Sequence, residues 1–71
     1  MEISYDKRSD ALYIKFQGGQ FARNKKIDDL TIIDLDEKGN LLGIELLDAS
    51  KRIPSNSLHQ VNVKNMEISV Q

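Results

Sequence analysis

The sequence predicts a mainly β domain of the small α+β type: an antiparallel sheet of four to five strands built from two hairpins, with one short helical turn before a C-terminal strand. Three observations predict this class. Apolar and polar residues alternate in several short segments, clusters of turn-forming residues separate these segments, and a chain of 71 residues has room for one small domain, residues 1–71.

The first predicted hairpin lies at the N-terminus. Ile3 and Tyr5 alternate with polar residues, and residues 6–10 form a polar cluster of the kind found in hairpin turns. After this cluster, apolar residues again occupy every second position, namely Leu12, Ile14 and Phe16. The two segments therefore predict a pair of strands, each with one buried face.

Residues 17–26 interrupt this alternation. The segment contains the pair Gly18 and Gly19 and has no repeating apolar face. Glycine loses more backbone freedom than other residues when it is held in an extended conformation. We therefore expect a loop or a wide bulged connection here, with Phe21 in contact with the body of the domain.

The second predicted hairpin is more continuously apolar, and we expect it at the centre of the sheet. Its strands are residues 30–35 and 41–47, and the connection between them includes Gly39, which can adopt a positive φ without steric cost. Because leucine and glutamate favour helices, residues 41–50 also fit a helix. Gly43 within the segment and the turn before it favour the strand.

The last part of the chain predicts one helical turn and one strand. Pro54 suits the start of a helix and Ser55 can cap it, which places a helical turn around residues 55–60. Residues 66–70 alternate again and predict the C-terminal strand. Between them the alternation changes phase at residues 64–65, which a bulge, a tight turn or a separate short strand would explain.

The composition is that of a globular protein without disulfide or thiolate–metal support. Hydrophobic residues make up 39% of the chain and charged residues 30%, and there is no cysteine. Since the N-terminal residues are charged and no apolar run is long, we expect no signal peptide, no membrane span and a cytoplasmic protein. A formal net charge of −1 lacks the basic excess typical of nucleic-acid binders, so we do not expect nucleic acid as a partner.

The apolar face of the predicted sheet is the main candidate for an interaction site. A sheet this small has no second layer of its own, and an uncovered apolar face is buried against another surface. We therefore expect a non-enzymatic interaction module without a cofactor, which forms a homo-oligomer such as a dimer or binds a small partner protein. The residues of the core or the contact are Leu12, Ile14, Phe16, Leu42, Ile44 and Leu46.

A group of acidic residues supports an alternative function, small-ligand binding or acid–base catalysis. Carboxylates can transfer protons to and from a substrate when one of them lies in a desolvating cleft. The group consists of Asp34, Asp36, Glu45 and Asp48. Because a domain of this size rarely encloses a ligand pocket, a solvated surface that keeps the sheet from aggregating is the simpler interpretation.

The segment that begins at Asp34 also resembles part of a calcium-binding EF-hand loop. Asp34, Asp36, Gly39 and Glu45 match the residue types that this loop requires at their positions. Another ligand position is Lys38, however, whose ammonium group cannot coordinate a cation. The flanking segments also predict strands, whereas an EF-hand loop lies between helices. We therefore predict an ordinary hairpin turn and no metal site.

Two further candidates have simpler explanations. A single nucleic-acid strand can stack on an aromatic side chain beside basic residues, and this chain offers Phe21, Arg23, Lys25 and Lys26. Acidic residues follow at once, so we expect a solvated loop. His59 is the only histidine, and the sequence has no strained nucleophile turn and no cysteine to share a metal with it, so we expect a surface residue.

Three separated blocks of the chain are similar to a known family. The blocks are Tyr5-Asp6 with residues 10–14, then residues 33–40, then residues 43–50. In this order they resemble domain-of-unknown-function family 2283, a family of short prokaryotic proteins, and the resemblance extends over residues 1–52. It implies a compact β-rich domain without an established activity. It also implies association with small proteins similar to ribonuclease toxins, and hence an antitoxin-like binding role.

Overall fold

The computed structural model describes residues 1–58 and residue 60, and within them the chain forms a five-stranded antiparallel sheet and two short helices. The strands are β1 (Glu2–Asp6), β2 (Ala11–Lys15), β3 (Arg23–Asp28), β4 (Thr31–Leu35) and β5 (Leu41–Leu46). The helices are α1 (Ala49–Arg52) and α2 (Ser55–Leu58). The mainly β class predicted from the sequence is confirmed.

The strand order in the sheet is β1-β2-β5-β4-β3, and every neighbouring pair is antiparallel. Both predicted hairpins are present, β1 with β2 and β4 with β5. The more continuously apolar strand, β5, lies at the centre, as predicted, and it is a strand rather than the alternative helix. Within the described part of the chain, the sheet has two free edges, β1 and β3.

One boundary predicted from the sequence is wrong, because Arg23–Lys26 are part of a strand and only residues 17–22 form the connection. β3 pairs with β4 from Arg23 opposite Leu35 onward, with a bulge between Lys26 and Asp28. All six residues of β3 are exposed, so the strand buries no face and its sequence has no apolar alternation. Phe21 is 56% exposed and lines a groove beside the turn after β4, and its expected contact with the body of the domain stays a prediction.

The polar stretch after β5 contains two helices within the described residues, where the sequence predicted one. The expected helical turn around residues 55–60 corresponds to α2, whereas α1 was not predicted. The chain reverses into α1 at Asp48, which has a left-handed conformation with φ of 51°. His59 and the predicted C-terminal strand at residues 66–70 lie outside the described residues.

Alternation along the strands gives the sheet one apolar and one polar face. Leu12 lies opposite Leu46, and Ile14 and Ile33 both lie opposite Ile44. The apolar face, as we define it, consists of Ile3, Leu12, Ile14, Ile33, Leu42, Ile44 and Leu46, with Phe16 directly after β2. The polar face consists of Tyr13, Lys15, Lys26, Ile32, Asp34, Gly43 and Glu45.

The hydrophobic core of the described residues is thin. Its buried apolar side chains are Leu12, Leu42 and Ala49, and no large side chain among the described residues is completely buried. The described part of the chain measures 37 × 33 × 18 Å, which is the flat shape of one sheet with little covering it. Most of the apolar face is therefore only half-buried.

Candidate interaction surface

All six residues that the sequence predicted as an interaction surface lie on the apolar face. Leu12 and Leu42 are only 8% and 6% exposed, so these two side chains already belong to the core. The other four, Ile14, Phe16, Ile44 and Leu46, are half-buried. The pairing of β4 with β5 adds Ile33, which lies opposite Ile44 and is also half-buried. The alternation of apolar residues was a sufficient signal for this face.

One side of the apolar face lies against the end of the described chain. Ile3, Leu12 and Ile14, from β1 and β2, line a groove of about 260 Å³ together with Ile53 and Leu58 from the helical segment. The side chains of the helical segment thus lie near β1 and β2 and leave a gap between the two layers. This side of the face is partly covered.

The other side of the apolar face, on β4 and β5, has little cover. Among residues 1–58 and 60, neither helix makes an extensive contact with β4 or β5. Ile33 and Ile44 remain half-buried, although both point to the same side of the sheet at adjacent positions. An apolar surface of this kind is stabilised when another apolar surface covers it.

The connection between β2 and β3 covers the end of β5. A Cβ atom placed on Gly19 would lie 2.7 Å from Cδ2 of Leu42, so the backbone of the connection lies directly against this leucine. A side chain at position 19 would displace the end of the Leu42 side chain, and the connection contributes to the burial of Leu42. Gly18, by contrast, has no neighbouring atom within 4 Å of such a Cβ.

The polar face is organised around a tyrosine that crosses the central strand. The hydroxyl of Tyr13 on β2 donates a hydrogen bond to Asp34 on β4, over 3.2 Å. Between them, a Cβ atom on Gly43 would lie 2.6 Å from Cζ of Tyr13 and 2.8 Å from the carbonyl oxygen of Ile14. Burial raises the pKa of Tyr13, and the hydrogen bond and the negative charge of Asp34 raise this pKa further.

The four predicted acidic site residues lie in three different places. Asp34 and Glu45 share the polar face, Asp36 lies in the turn after β4, and Asp48 lies beyond the other end of β5. A six-residue strand spans roughly 20 Å, so the two ends of the hairpin do not converge on one ligand. Among the described residues, no group of three or more Asp, Glu, His or Cys side chains is arranged to hold a metal ion.

Asp36, one of the residues that match a calcium-binding loop, uses its carboxylate to accept hydrogen bonds within its own turn. Its carboxylate accepts hydrogen bonds from the backbone amides of Lys38 (2.9 Å) and Asn40 (2.8 Å) and from the side chain of Asn40 (2.9 Å). The hydrogen bonds from Asn40 are the main cause that lowers the pKa of Asp36. Gly39 has φ of 86°, as the predicted hairpin turn requires. The carboxylate therefore stabilises the turn.

Sequence reasoning missed a hydrogen-bond network centred on Asp10. This carboxylate accepts hydrogen bonds from the hydroxyl of Tyr5 (2.6 Å) and from the hydroxyl (2.8 Å) and backbone amide (3.0 Å) of Ser50. These bonds, with that from Tyr5 the largest cause, lower the pKa of Asp10. The network joins the β1–β2 turn to α1. Its members come from the first and third blocks of the family resemblance, which was the signal that could have identified them.

A second contact holds α1 against the turn between β3 and β4. The guanidinium of Arg52 donates hydrogen bonds to the carbonyl oxygen of Leu30 (2.7 Å) and to Oγ1 of Thr31 (2.8 Å). Among the described residues, Thr31 is the one buried residue with a polar side chain, at 7% exposed. Asp10 and Arg52 together fix the short helix to the two hairpin turns at one end of the sheet.

The predicted basic patch lies on the free edge strand. Arg23, Lys25 and Lys26 are all part of β3 and are all exposed, and Phe21 precedes them on the connection. The structure therefore brings these four residues to one edge of the sheet. No helix within the described residues has the length and apolar character needed to cross a membrane.

The comparisons with known proteins cover the region that forms the sheet. The family described as "Protein of unknown function (DUF2283)" matches residues 2–50, which include the five strands and the start of α1. An uncharacterized protein of Methanocaldococcus jannaschii is 39% identical over 51 residues, which are 72% of this chain and 43% of that relative. The chain thus spans less than half the length of this relative. No solved structure matches the chain.

Proposed function

The chain belongs to the DUF2283 family, and from this premise we propose that it is a non-enzymatic protein-interaction module that associates with a second copy of itself through the apolar face. The single observation that carries the proposal is the half-buried state of Ile33 and Ile44 on a sheet with few buried apolar side chains. The descriptions of the family and of the relative assign no activity, so the proposal rests on this surface.

A second copy of the chain can cover the apolar face with an apolar face of its own. Two antiparallel sheets pack face to face at ~10 Å with their apolar side chains interdigitated. A two-fold arrangement uses the same patch on both copies, so one apolar face covers the other. A formal net charge of −1 per chain produces little repulsion between the copies.

The size of the face sets the expected strength of this association. Five strands spaced ~4.8 Å apart, with about five residues each at ~3.3 Å, give a face of roughly 400 Å² per copy. Because the helical segment already covers part of the face, two copies together would bury at most roughly 800 Å², which is below the ~1,200–2,000 Å² of stable specific complexes. We therefore expect a dimer that forms and dissociates with concentration, and not a permanent one.

The acidic residues do not support a second function of comparable weight. Asp36 is engaged in its own turn, and Asp48 lies at the far end of the hairpin from it. A small foreign protein is the other occupant that the same face can accept, and the antitoxin-like role implied by the family resemblance would require one. Such a partner would compete with the second copy for the face.

Two neighbouring isoleucines on β4 give a matched test. Ile33 belongs to the apolar face and Ile32 to the polar face, and both are half-buried. Sedimentation velocity over a wide concentration range should show a reversible dimer for the wild type and for Ile32→Glu, but monomer for Ile33→Glu. The proposal is wrong if the wild type stays monomeric throughout, or if Ile33→Glu dimerises as the wild type does. Circular dichroism checks that both variants remain folded.

A further inference from the structure

The edge strand β3 is a second surface, which lies beside the apolar face. Among the residues that the structure describes, it ends the sheet at one side, so one row of its backbone amide and carbonyl groups has no neighbouring strand there. All six of its residues are exposed. An edge of this kind can accept an additional strand through backbone hydrogen bonds.

The two free edges of the sheet carry opposite charges. β3 contains Arg23, Lys25 and Lys26 against one acidic residue, Asp28. β1, at the other side, contains two acidic residues and no basic one. The three cations of β3 point to both faces, since Lys25 lies opposite Ile33 of the apolar face and Lys26 opposite Ile32 of the polar face. A strand added beside β3 would meet positive charge on both of its faces.

Exposed apolar side chains flank these cations. Phe21, just before β3, is 56% exposed, and Ile27, at the bulge, is 58% exposed. An incoming segment with apolar residues on either side of its acidic ones would cover these two side chains. Cross-strand pairs of opposite charge and pairs of apolar residues both stabilise neighbouring strands.

A second copy of this chain is a poor occupant of the edge. Two β3 strands paired about a two-fold axis at their centre would place Lys25 against Lys25 or Lys26 against Lys26, which is repulsive. β1 and β3 run parallel, because four antiparallel pairings separate them. Adding β1 of another copy would give head-to-tail growth that does not close into a defined oligomer. The lysines thus select against the pairing of two β3 strands and admit an acidic strand.

We propose that β3 is a strand-addition site for an extended segment of a partner protein in which neighbouring acidic residues, directed to both faces of the strand, are flanked by apolar residues. The partner's backbone continues the sheet beyond β3. Its acidic side chains pair with Arg23, Lys25 and Lys26, and its apolar side chains contact Phe21 and Ile27. The added strand would use the outer backbone groups of β3 and not the side chain of Ile33, although Lys25 lies directly opposite Ile33.

A labelled synthetic peptide tests this site directly. A fluorescein-labelled peptide of about ten residues, with neighbouring Glu residues at its centre and Val residues on either side of them, should show a rise in fluorescence anisotropy on binding to the full chain at low salt. The Lys25→Glu/Lys26→Glu variant should bind at least about tenfold more weakly. The matched control, Lys7→Glu/Arg8→Glu, reverses two charges in the exposed β1–β2 turn and should bind as the wild type does.

A second peptide separates strand addition from simple charge attraction. Replacement of alternate valines by proline keeps every charge but removes backbone donors, so this peptide should bind about tenfold more weakly or not at all. Equal binding of the two peptides, or equal weakening by the control variant, would overturn the proposal. So would binding of labelled oligothymidylate in preference to the acidic peptide, or β3-dependent filaments of the chain alone. Circular dichroism verifies that each variant is folded.

Discussion

Tyr13 and Asp34 are joined by a hydrogen bond of 3.2 Å that crosses the central strand of the sheet. The tyrosine starts on β2 and reaches β4 because Gly43 on β5 has no side chain in between. Three neighbouring strands are therefore linked on the polar face by one side chain. The linkage explains why Gly43, a residue type of low strand propensity, occupies the central strand of the sheet.

Replacement of Gly43 by alanine should destabilise the fold. The added Cβ would contact the hydroxyl of Tyr13 and lie 2.8 Å from the carbonyl oxygen of Ile14, which is backbone and cannot move freely. We expect a loss of ~1–3 kcal/mol in the free energy of unfolding, measured by urea denaturation. Gly18→Ala is the matched control and should change it by less than ~0.5 kcal/mol, because nothing lies within 4 Å of that Cβ. Equal effects of the two substitutions would contradict the close contact.

Removal of the tyrosine hydroxyl alone should have a smaller effect. Tyr13→Phe keeps the ring above Gly43 and loses only the hydrogen bond to Asp34. The expected loss is ~0.5–1.5 kcal/mol, the usual net value of such a bond. A double-mutant cycle with Asp34→Asn measures the coupling between the two side chains, and additive losses would show that they are not coupled.

The carboxylate of Asp10 should make stability depend on pH in acid. Hydrogen bonds from Tyr5 and Ser50 lower its pKa in the folded state below the ordinary value of an aspartate. The stabilisation is therefore present above that ordinary value and is lost as the pH falls through the lowered folded pKa. Asp10→Asn, which still tolerates the left-handed backbone conformation of this position, should be less stable than the wild type near neutral pH.

The difference between wild type and Asp10→Asn should then shrink as the solution is acidified below about pH 4. Urea midpoints measured over this range provide the check. The wild type loses stability there for further reasons, since the pKa values of Asp6, Asp28 and Asp36 are also lowered by hydrogen bonds to backbone amides or neighbouring side chains. A difference that stays constant at all pH values would mean that the charge of Asp10 is unimportant.

Arg52 should hold the helical segment in place, and lysine should not replace it. Two separate guanidinium nitrogens bond Leu30 and Thr31, a geometry that one ammonium group does not reproduce. Arg52→Lys should cost ~1 kcal/mol in the free energy of unfolding and raise amide exchange in α1. Lys51→Ala, at the preceding exposed position, should change the stability by less than ~0.5 kcal/mol. Unchanged exchange in α1 would contradict this role of Arg52.

The sequence was sufficient to predict the parts of the fold in which burial alternates. The strands β1, β2, β4 and β5 each place apolar side chains on one face, and their period of two is visible without a structure. β3 buries no side chain, so its strand character comes only from backbone pairing with β4, which a local pattern does not record. The same reason explains the extension of the predicted loop into Arg23–Lys26.

The candidate sites also divide into those that have a periodic sequence pattern and those that depend on the folded topology. The apolar face is a periodic feature, and its six predicted residues lie together on one side of the sheet. The acidic group was assembled from proximity in sequence, and Asp36 and Asp48 lie at opposite ends of one hairpin. The bonds between Asp10 and Ser50 join residues that are 40 positions apart, which only the folded topology brings together.

The rate at which a single thiol reacts on each face tests most directly whether the apolar face is covered by a second copy. The chain has no cysteine, so Ile33→Cys and Ile32→Cys each introduce one unique thiol on β4, on the apolar and the polar face respectively. The labelling rate with a maleimide should fall for the thiol at position 33 as the protein concentration rises, and stay constant for the thiol at position 32. Equal and constant rates for both thiols would show that the apolar face is open to water. Protection at position 33 that does not vary with concentration would place its cover within the chain itself, and either result would contradict self-association.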